Sequence, residues 1–292
     1  MEYRTVTDFF RDFFPGKVQK VGIDAGLGCP GRCTYCCNTS FTPSYATGRI
    51  TRQLDQGIRF FENKGPFYGY LAYFQSYTGT YGPSDKLGAL YSEALAHPDI
   101  LGLVIATRPD CLDPVLLDWF QHNFGGPGQP FLLVELGMES TNDSTLKRIH
   151  RGHDWQCSVN AVNELHRRGI PTGAHLIIGL PGETDADFML HAERLSELPI
   201  STLKLHQLQI IRNTPLAREY GQEPFPLLEA GQYADIVARF LKRLRKDIAL
   251  DRFVSEAPQD MVIAPRWGLK PSQFKDLLDA AILSNETETK HT

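Results

Sequence analysis

Three cysteines in one short run are the residues of this sequence best suited to chemistry. Cys29, Cys33 and Cys36 follow the pattern C-x3-C-x2-C, and an aromatic residue, Tyr35, precedes the last of them. Iron–sulfur clusters are normally held by four cysteine thiolates. Because this run offers three, its spacing predicts a [4Fe–4S] cluster with one iron open to a ligand from outside the protein.

Two structural uses of these thiols compete with that interpretation. A structural zinc site needs four Cys or His ligands, usually in two pairs, but the nearby fourth thiol, Cys37, adjoins Cys36 and no second C-x2-C pair exists. A disulfide would have to reach Cys111 or Cys157, far along the chain. The composition is not that of a secreted disulfide scaffold. The cluster is therefore the favoured interpretation.

Two carboxylates lie in or just after the predicted strand 131–137. Alternation with a period of two places Glu135 and Glu139 on one face of this strand. Buried acids without partners are costly, so cations should lie near them, and Arg148 and Arg151 are the candidates. An ordinary internal salt bridge is the alternative to a cofactor site.

Polar residues or glycines also end two later strands. The segment 176–183 closes in a glycine turn, where the backbone can approach a ligand closely, although a plain strand-ending turn has the same pattern. Lys204 and His206 share one face of the last predicted strand. They either steer a substrate or balance the buried acids.

The cysteine run, with its spacing and its aromatic residue, resembles the signature of the radical SAM superfamily. The resemblance implies that the open iron chelates the amino and carboxylate groups of S-adenosylmethionine (SAM). It also implies that the reduced cluster cleaves SAM to a 5′-deoxyadenosyl radical, which makes Cys29, Cys33 and Cys36 both the metal ligands and the catalytic residues. A low-potential flavodoxin or ferredoxin is the implied electron donor.

The SAM contacts are implied by two further segments. The run 135–153 resembles the radical SAM domain of the elongator catalytic subunit and of the oxygen-independent coproporphyrinogen oxidases, in which Glu139 would meet the methionyl end of SAM and Arg151 its carboxylate. A guanidinium–carboxylate pair suits that role. The segment 176–183 resembles the adenine-side segment of the superfamily. The cofactor-binding residues implied by the resemblance are Tyr35, Gln75, Ser76, Glu139, Arg151, Ile177 and Gly179.

The sequence departs from the superfamily at the end of the second strand and in the fifth. Gln75 and Ser76 stand where many members carry a glycine-rich, Glu-containing run that holds the amino group of SAM. His175 stands where related enzymes carry an acidic residue for the ribose.

Segments spread over nearly the whole chain resemble the YhcC-like bacterial radical SAM family. They are 70–81, 105–111, 135–153, 172–183, 203–215 and 257–267. Analogy with the elongator-like branch implies C–H activation on a tRNA base. The alternative is a radical SAM enzyme acting on a small metabolite, a lipid or a peptide, and an alternative of another class is a non-catalytic iron–sulfur or metal carrier.

Charge and aromatic content bear on a tRNA substrate. The formal net charge is −4 and the basic residues are scattered, so the sequence shows no electrostatic footprint for nucleic acid. A patch formed only in the folded protein is expected to draw on Arg108, Lys204, Arg212 and Arg218. The aromatic stretch 67–81 could stack a base, although core packing is favoured for Tyr70 and Phe74.

These residues must be positioned by a parallel sheet. Short β-branched runs, each followed by a helical pattern, predict an α/β fold built as a partial (β/α)6 barrel of the TIM type. The predicted strands are 18–24, 69–75, 102–107, 131–137, 172–179 and 202–210. A doubly wound sheet is the alternative, disfavoured because no G-x-G-x-x-G follows the first strand. In both folds, ligands bind at the carboxyl ends of strands, and the cysteine run directly follows the first strand.

A chain of 292 residues with 42% hydrophobic residues is long enough for one such barrel. We predict an N-terminal extension over 1–17, the barrel over 18–225, a helical cap over 226–284 packed on the barrel, and a disordered tail over 285–292. No apolar run approaches the ~18 residues of a membrane span, so a soluble, cytoplasmic protein is expected.

Overall fold

A seven-stranded sheet, in which every neighbouring pair of strands is parallel, organises the fold. The computed structural model describes residues 3–31, 33–40, 42–255 and 257–288. The strands of this sheet, in spatial order, are β1 (Val18–Ile23), β2 (Gly69–Phe74), β3 (Ile100–Thr107), β4 (Phe131–Glu139), β5 (Thr172–Ile178), β6 (Thr202–Gln207) and β8 (Ala249–Arg252). A separate antiparallel pair consists of β7 (Ile210–Ile211) and β9 (Val262–Ala264). The predicted partial barrel is confirmed.

Helices follow the strands, as expected for parallel connections. They are α1 (Val6–Arg11), α2 (Ile50–Phe61), α3 (Ser84–Leu95), α4 (Pro114–Asn123), α5 (Asp143–Arg148), α6 (Trp155–Arg167), α7 (Asp185–Ser196), α8 (Pro215–Gln222), α9 (Ala230–Arg243) and α10 (Pro271–Glu288). Several of their starts carry ordinary side-chain caps. The Asp154 side chain, for example, accepts a hydrogen bond from the Cys157 amide at 2.8 Å before α6.

The two faces of the sheet bury different residues because successive side chains alternate. On one face, residues such as Ile23, Phe74 and Ile105 join the large core beneath the helices. On the other, Leu71 and Val104 join a smaller core in the barrel interior.

Helix α1 closes the amino-terminal end of the interior. Phe9 and Phe10 are buried, and their rings lie 6.3 and 5.8 Å from the ring of Phe131 at the start of β4. Phe13 and Phe14 contact the same ring. The first residues of the chain therefore form the floor of the barrel.

The sheet has one strand more than the six predicted. Strand β8 lies within the segment 226–284 and pairs with β6, so this segment supplies an edge of the sheet as well as the packed helices α9 and α10. Four residues are too few to show a clear periodic pattern in sequence. The segment predicted as a disordered tail begins inside α10, and residues 289–292 lie outside the described part of the chain.

Among the residues described, no helix is long and apolar enough to cross a membrane.

Candidate cofactor and substrate site

The carboxyl ends of the strands surround one cavity of ≈ 330 Å³. Of the site residues predicted from sequence, those that line it are Cys29, Cys33, Tyr35, Cys36, Gln75, Glu139, Arg151 and Ile177. Two do not. Ser76 is buried against Thr42, with 3.1 Å between the hydroxyl oxygens, and Gly179 lies beside Leu228 with φ +93°.

The cysteine loop is held between two helices. The Thr34 amide donates to the Ile149 carbonyl at 3.0 Å, just after α5, and the Thr34 carbonyl accepts from the Leu216 amide of α8 at 2.8 Å. Tyr35 packs against the apolar cluster under these helices. The loop is thereby fixed at the edge of the cavity.

The thiols form one electrostatic group. Burial, with the nearby Cys33 and Glu139, raises the pKa of Cys36 to about 12 in the metal-free protein. No three His, Cys, Asp or Glu side chains of the described residues surround a single point as one metal ion would need. A cubane does not need this, because each thiolate binds a different iron. The donor set of three thiolates, with a cavity beside it that Arg108 and Arg151 line, fits the cluster.

Two buried arginines contact one of these thiols. Nη1 of Arg151 lies 3.4 Å from Cys33 Sγ, and Nη1 of Arg108 lies 3.8 Å from the same sulfur. Both arginines are almost fully buried, with 5% and 3% of their surface exposed.

Glu139 and Arg151 form an ion pair beside the cysteine loop. Their side chains approach to 3.7 Å, and Arg151 also donates to the Gly137 carbonyl. Burial would lower the pKa of Arg151, but Tyr35 and Glu139 raise it above its ordinary value. Arg151 Nε is buried without a hydrogen-bond partner among the described residues. The other candidate, Arg148, instead pairs with Glu219 at the surface.

Backbone strain marks the same position. Glu139 has φ +69°, in the left-handed region that a side chain other than glycine rarely adopts. A bulge in the β4–β5 pairing accompanies it. A Cβ added at Gly137 would lie 2.6 Å from Glu139 Oε1 and 2.8 Å from Arg151 Nη2, so the glycine makes room for the pair. Strain of this kind is concentrated at functional sites.

Glu135 lies deeper, and its partners are lysines, which corrects the prediction of arginine partners. Its carboxylate accepts from Lys20 Nζ at 2.9 Å and from Lys204 Nζ at 2.5 Å, and from the Tyr73 hydroxyl at 2.8 Å. Asp251 of β8 joins both lysines, at 2.5 and 3.3 Å. We call these five residues the interior ion cluster. Lys204 thus balances buried acids.

Two histidines lie above the interior ion cluster. His175 Nε2 is 3.0 Å from Glu135, and burial, helped by Lys204, lowers the His175 pKa. His206 lines the cavity, and burial, helped by Arg252, holds its pKa well below the ordinary value. Both pKa shifts favour the neutral imidazole. The sequence reasoning missed Lys20 and Asp251. The alternation of side chains along β1 could have placed Lys20 on the interior face, but nothing pointed to Asp251 because β8 was not predicted.

The folded structure also corrects the prediction of a basic patch. Arg108 and Lys204 are 3% and 2% exposed and cannot reach a polyanion, whereas Arg212 and Arg218 are exposed. In the aromatic stretch, Phe74 is buried and Tyr77 is 40% exposed at the cavity.

Comparison with known proteins identifies the family. A model of the radical SAM superfamily matches residues 24–195, and a model described as the radical SAM C-terminal domain matches residues 200–282. The chain therefore belongs to the radical SAM superfamily, whose members use a [4Fe–4S] cluster and SAM and need a reductant; the protein is a radical SAM enzyme.

Among its relatives, YtqA of Bacillus subtilis is 32% identical over 91% of this chain and 85% of its own length. YhcC of Escherichia coli is 31% identical over 86% of this chain and 82% of its own. These matches confirm the predicted YhcC-like family. Both relatives match along most of their length.

More distant matches include one protein whose name states a tRNA activity and one solved structure. A tRNA uridine(34) acetyltransferase of Dehalococcoides mccartyi is 22% identical over 84% of this chain and 60% of its own length. The solved structure of Elp3 from Methanocaldococcus infernus superposes with a TM-score of 0.73 over 92% of this chain and 63% of Elp3. At 15% identity this likeness shows the fold alone.

Proposed function

We propose that Cys29, Cys33 and Cys36 hold the cluster, that Glu139 and Arg151 hold SAM at its open iron, and that the substrate is a tRNA base. The observation that carries the cofactor assignment is the strained Glu139–Arg151 pair on the cavity wall, in contact with Cys33. Bound together, cluster and SAM supply a one-electron reductive cleavage that starts C–H activation. A flavodoxin or ferredoxin is the proposed electron donor.

Four of the cavity residues have proposed tasks that suit their chemistry. Arg151 forms a charge-assisted pair with the SAM carboxylate, and its unpaired Nε is a donor still available for that contact. Glu139 accepts from the SAM ammonium. Ile177 offers an apolar surface to the adenine, and Tyr35 packs behind the loop. The Gln75 side chain lies against Gly22. A Cβ added at Gly22 would be 2.7 Å from Gln75 Nε2, so the glycine leaves room for this side chain.

Arg151→Ala should weaken SAM binding by about tenfold or more without lowering the iron content. Loss of one partner in a charge-assisted pair costs about 1.5–3 kcal/mol. Isothermal titration of the cluster-loaded protein with SAM measures this. Arg148→Ala, which removes an exposed arginine, is the control and should bind SAM normally.

Glu139 allows a second test of the same assignment. Glu139→Gly should also weaken SAM binding while relieving the strain, since glycine adopts φ +69° at little cost. Unchanged SAM affinity in both Arg151→Ala and Glu139→Gly would refute these two contacts.

The distant match to a tRNA uridine(34) acetyltransferase supports the tRNA substrate. The cavity mouth adds a physical reason. Tyr77 is held at φ +62°, its amide donates to Asn38 Oδ1 at 3.0 Å, and its half-exposed ring faces the cavity. A partly exposed aromatic ring on a backbone held at the edge of the cavity is suited to stacking an unpaired base.

We expect weak tRNA binding that falls steeply with salt, because phosphate contacts release counterions. Tyr77→Ala should weaken binding by about fivefold or more, since stacking of a base is worth about 1–3 kcal/mol. Mobility shifts at low and moderate salt measure both effects, and Tyr68→Ala, which removes an exposed ring distant from the cavity lining, is the control. If no shift appears at low salt and nucleosides of a deletion strain match the parent, a small molecule, lipid or peptide replaces tRNA.

A further inference from the structure

The contact between Arg108 and Cys33 is not used by any of the roles above. We propose that Arg108 is a positioning residue that raises the reduction potential of the cluster, by directing an N–H at the sulfur of Cys33. This inference rests on the proposed function, in which Cys33 is a cluster ligand.

The guanidinium of Arg108 is fixed by other bonds. Nε and Nη2 donate to the two carboxylate oxygens of Asp110, each at 2.8 Å, and Nη2 also donates to the Arg151 carbonyl at 2.6 Å. These bonds leave Nη1 pointing at Cys33 Sγ, 3.8 Å away, within reach of a sulfur acceptor. The group therefore cannot swing away from the sulfur without breaking a bidentate pair.

Two glycines open the space that Arg108 occupies. A Cβ added at Gly31, inside the cysteine loop, would lie 2.3 Å from Arg108 Nη1. A Cβ added at Gly152 would lie 3.1 Å from Nη2. The loop on one side and the segment after α5 on the other are thus both shaped around this side chain.

The sign of the effect follows from charge. Reduction adds a negative charge to the cluster, and a nearby cation with an N–H donor stabilises that charge more than it stabilises the oxidised state. Arg108 is 3% exposed, so solvent and salt screen it weakly. Arg151 also contacts Cys33 and should raise the reduction potential as well. Its proposed partner is SAM, however, so we assign the effect on the cluster itself to Arg108.

The carboxylate of Asp110 should affect the reduction potential in the direction opposite to Arg108. The sign of the shift in potential therefore tests the inference. This carboxylate neutralises part of the guanidinium charge, and the Asp110 side chain is 28% exposed. Removing the arginine charge should make the midpoint potential more negative. The Asp110→Asn variant removes the aspartate charge but keeps one oxygen that accepts a hydrogen bond from Arg108, so the guanidinium stays in place. The midpoint potential should then become less negative, by a smaller shift because Asp110 is better solvated.

The experiment is a redox titration, followed by electron paramagnetic resonance, of reconstituted wild type, Arg108→Gln and Asp110→Asn with SAM absent. Iron content is measured on every sample. Arg148→Gln removes an arginine that is 42% exposed at the surface and is the matched control, expected to keep the wild-type potential.

A negative shift in Arg108→Gln with a positive shift in Asp110→Asn supports the inference. Shifts of the same sign, or none, in variants with full iron content overturn it. If Arg108→Gln binds no cluster, Asp110→Asn decides alone, and an unchanged potential there overturns the inference. If the wild type itself takes up no iron, the proposed function fails and this inference fails with it.

Discussion

Cys29→Ala, Cys33→Ala and Cys36→Ala should each abolish the cluster. Wild-type protein reconstituted without oxygen should take up about four irons, with the broad visible absorbance of a cubane. Because the proposed site has three thiolates and the cavity beside them, losing one leaves two irons without protein ligands. Iron and sulfide content measures the effect, together with the visible spectrum.

The other three cysteines provide internal controls. Cys37→Ala, Cys111→Ala and Cys157→Ala should retain the cluster, although Cys37 adjoins the loop and is half-buried like Cys36. Tight, stoichiometric zinc with no iron uptake by the wild type would contradict the assignment. So would loss of iron in Cys37→Ala with retention in Cys36→Ala, because the ligand set would then differ from the proposed one.

Glu135→Ala should destabilise the fold by about 3–5 kcal/mol, since removing one partner of a buried ion pair leaves an uncompensated charge. Glu135 is 1% exposed, and its loss would leave Lys20 and Lys204 sharing Asp251. Urea unfolding followed by circular dichroism measures the change. The double variant Glu135→Gln with Lys204→Met keeps the charges balanced and should recover part of the loss.

Lys275→Ala is the matched control, because it breaks an exposed pair with Asp279 on one helix and should cost about 0–1 kcal/mol. If Glu135→Ala lowered the free energy of unfolding as little as Lys275→Ala does, the interior ion cluster would not stabilise the barrel.

Acid should weaken the barrel through the same cluster. Burial alone would raise the pKa of Glu135, but Lys20 and Lys204 hold it well below the ordinary 4.5. Its contribution to the free energy of unfolding is present above that ordinary pKa and is lost as the pH falls towards the folded pKa. Asp251, with a pKa of about 2, behaves in the same way. In Glu135→Gln, stability should therefore fall less between pH 5 and about 3.

The sequence by itself determined the features that short-range spacing encodes. These features are the cysteine run, the strands that alternate with a period of two and the pairing of Arg151 with Glu139. Each depends on residues that are close together in the sequence. The family followed from these segments taken together, and the comparisons confirmed it.

The tertiary structure decided which buried charges meet. Glu135 contacts Lys204, 69 residues away, and Lys20, 115 residues away, while Lys20 meets Asp251 at a separation of 231 residues. Such contacts depend on the order and register of β1, β4, β6 and β8, which no local pattern encodes. For the same reason Arg108, an apparent surface cation in the sequence, is buried against Cys33. Packing of distant strands, and not residue type, sets the dielectric surroundings and the partners of each charge.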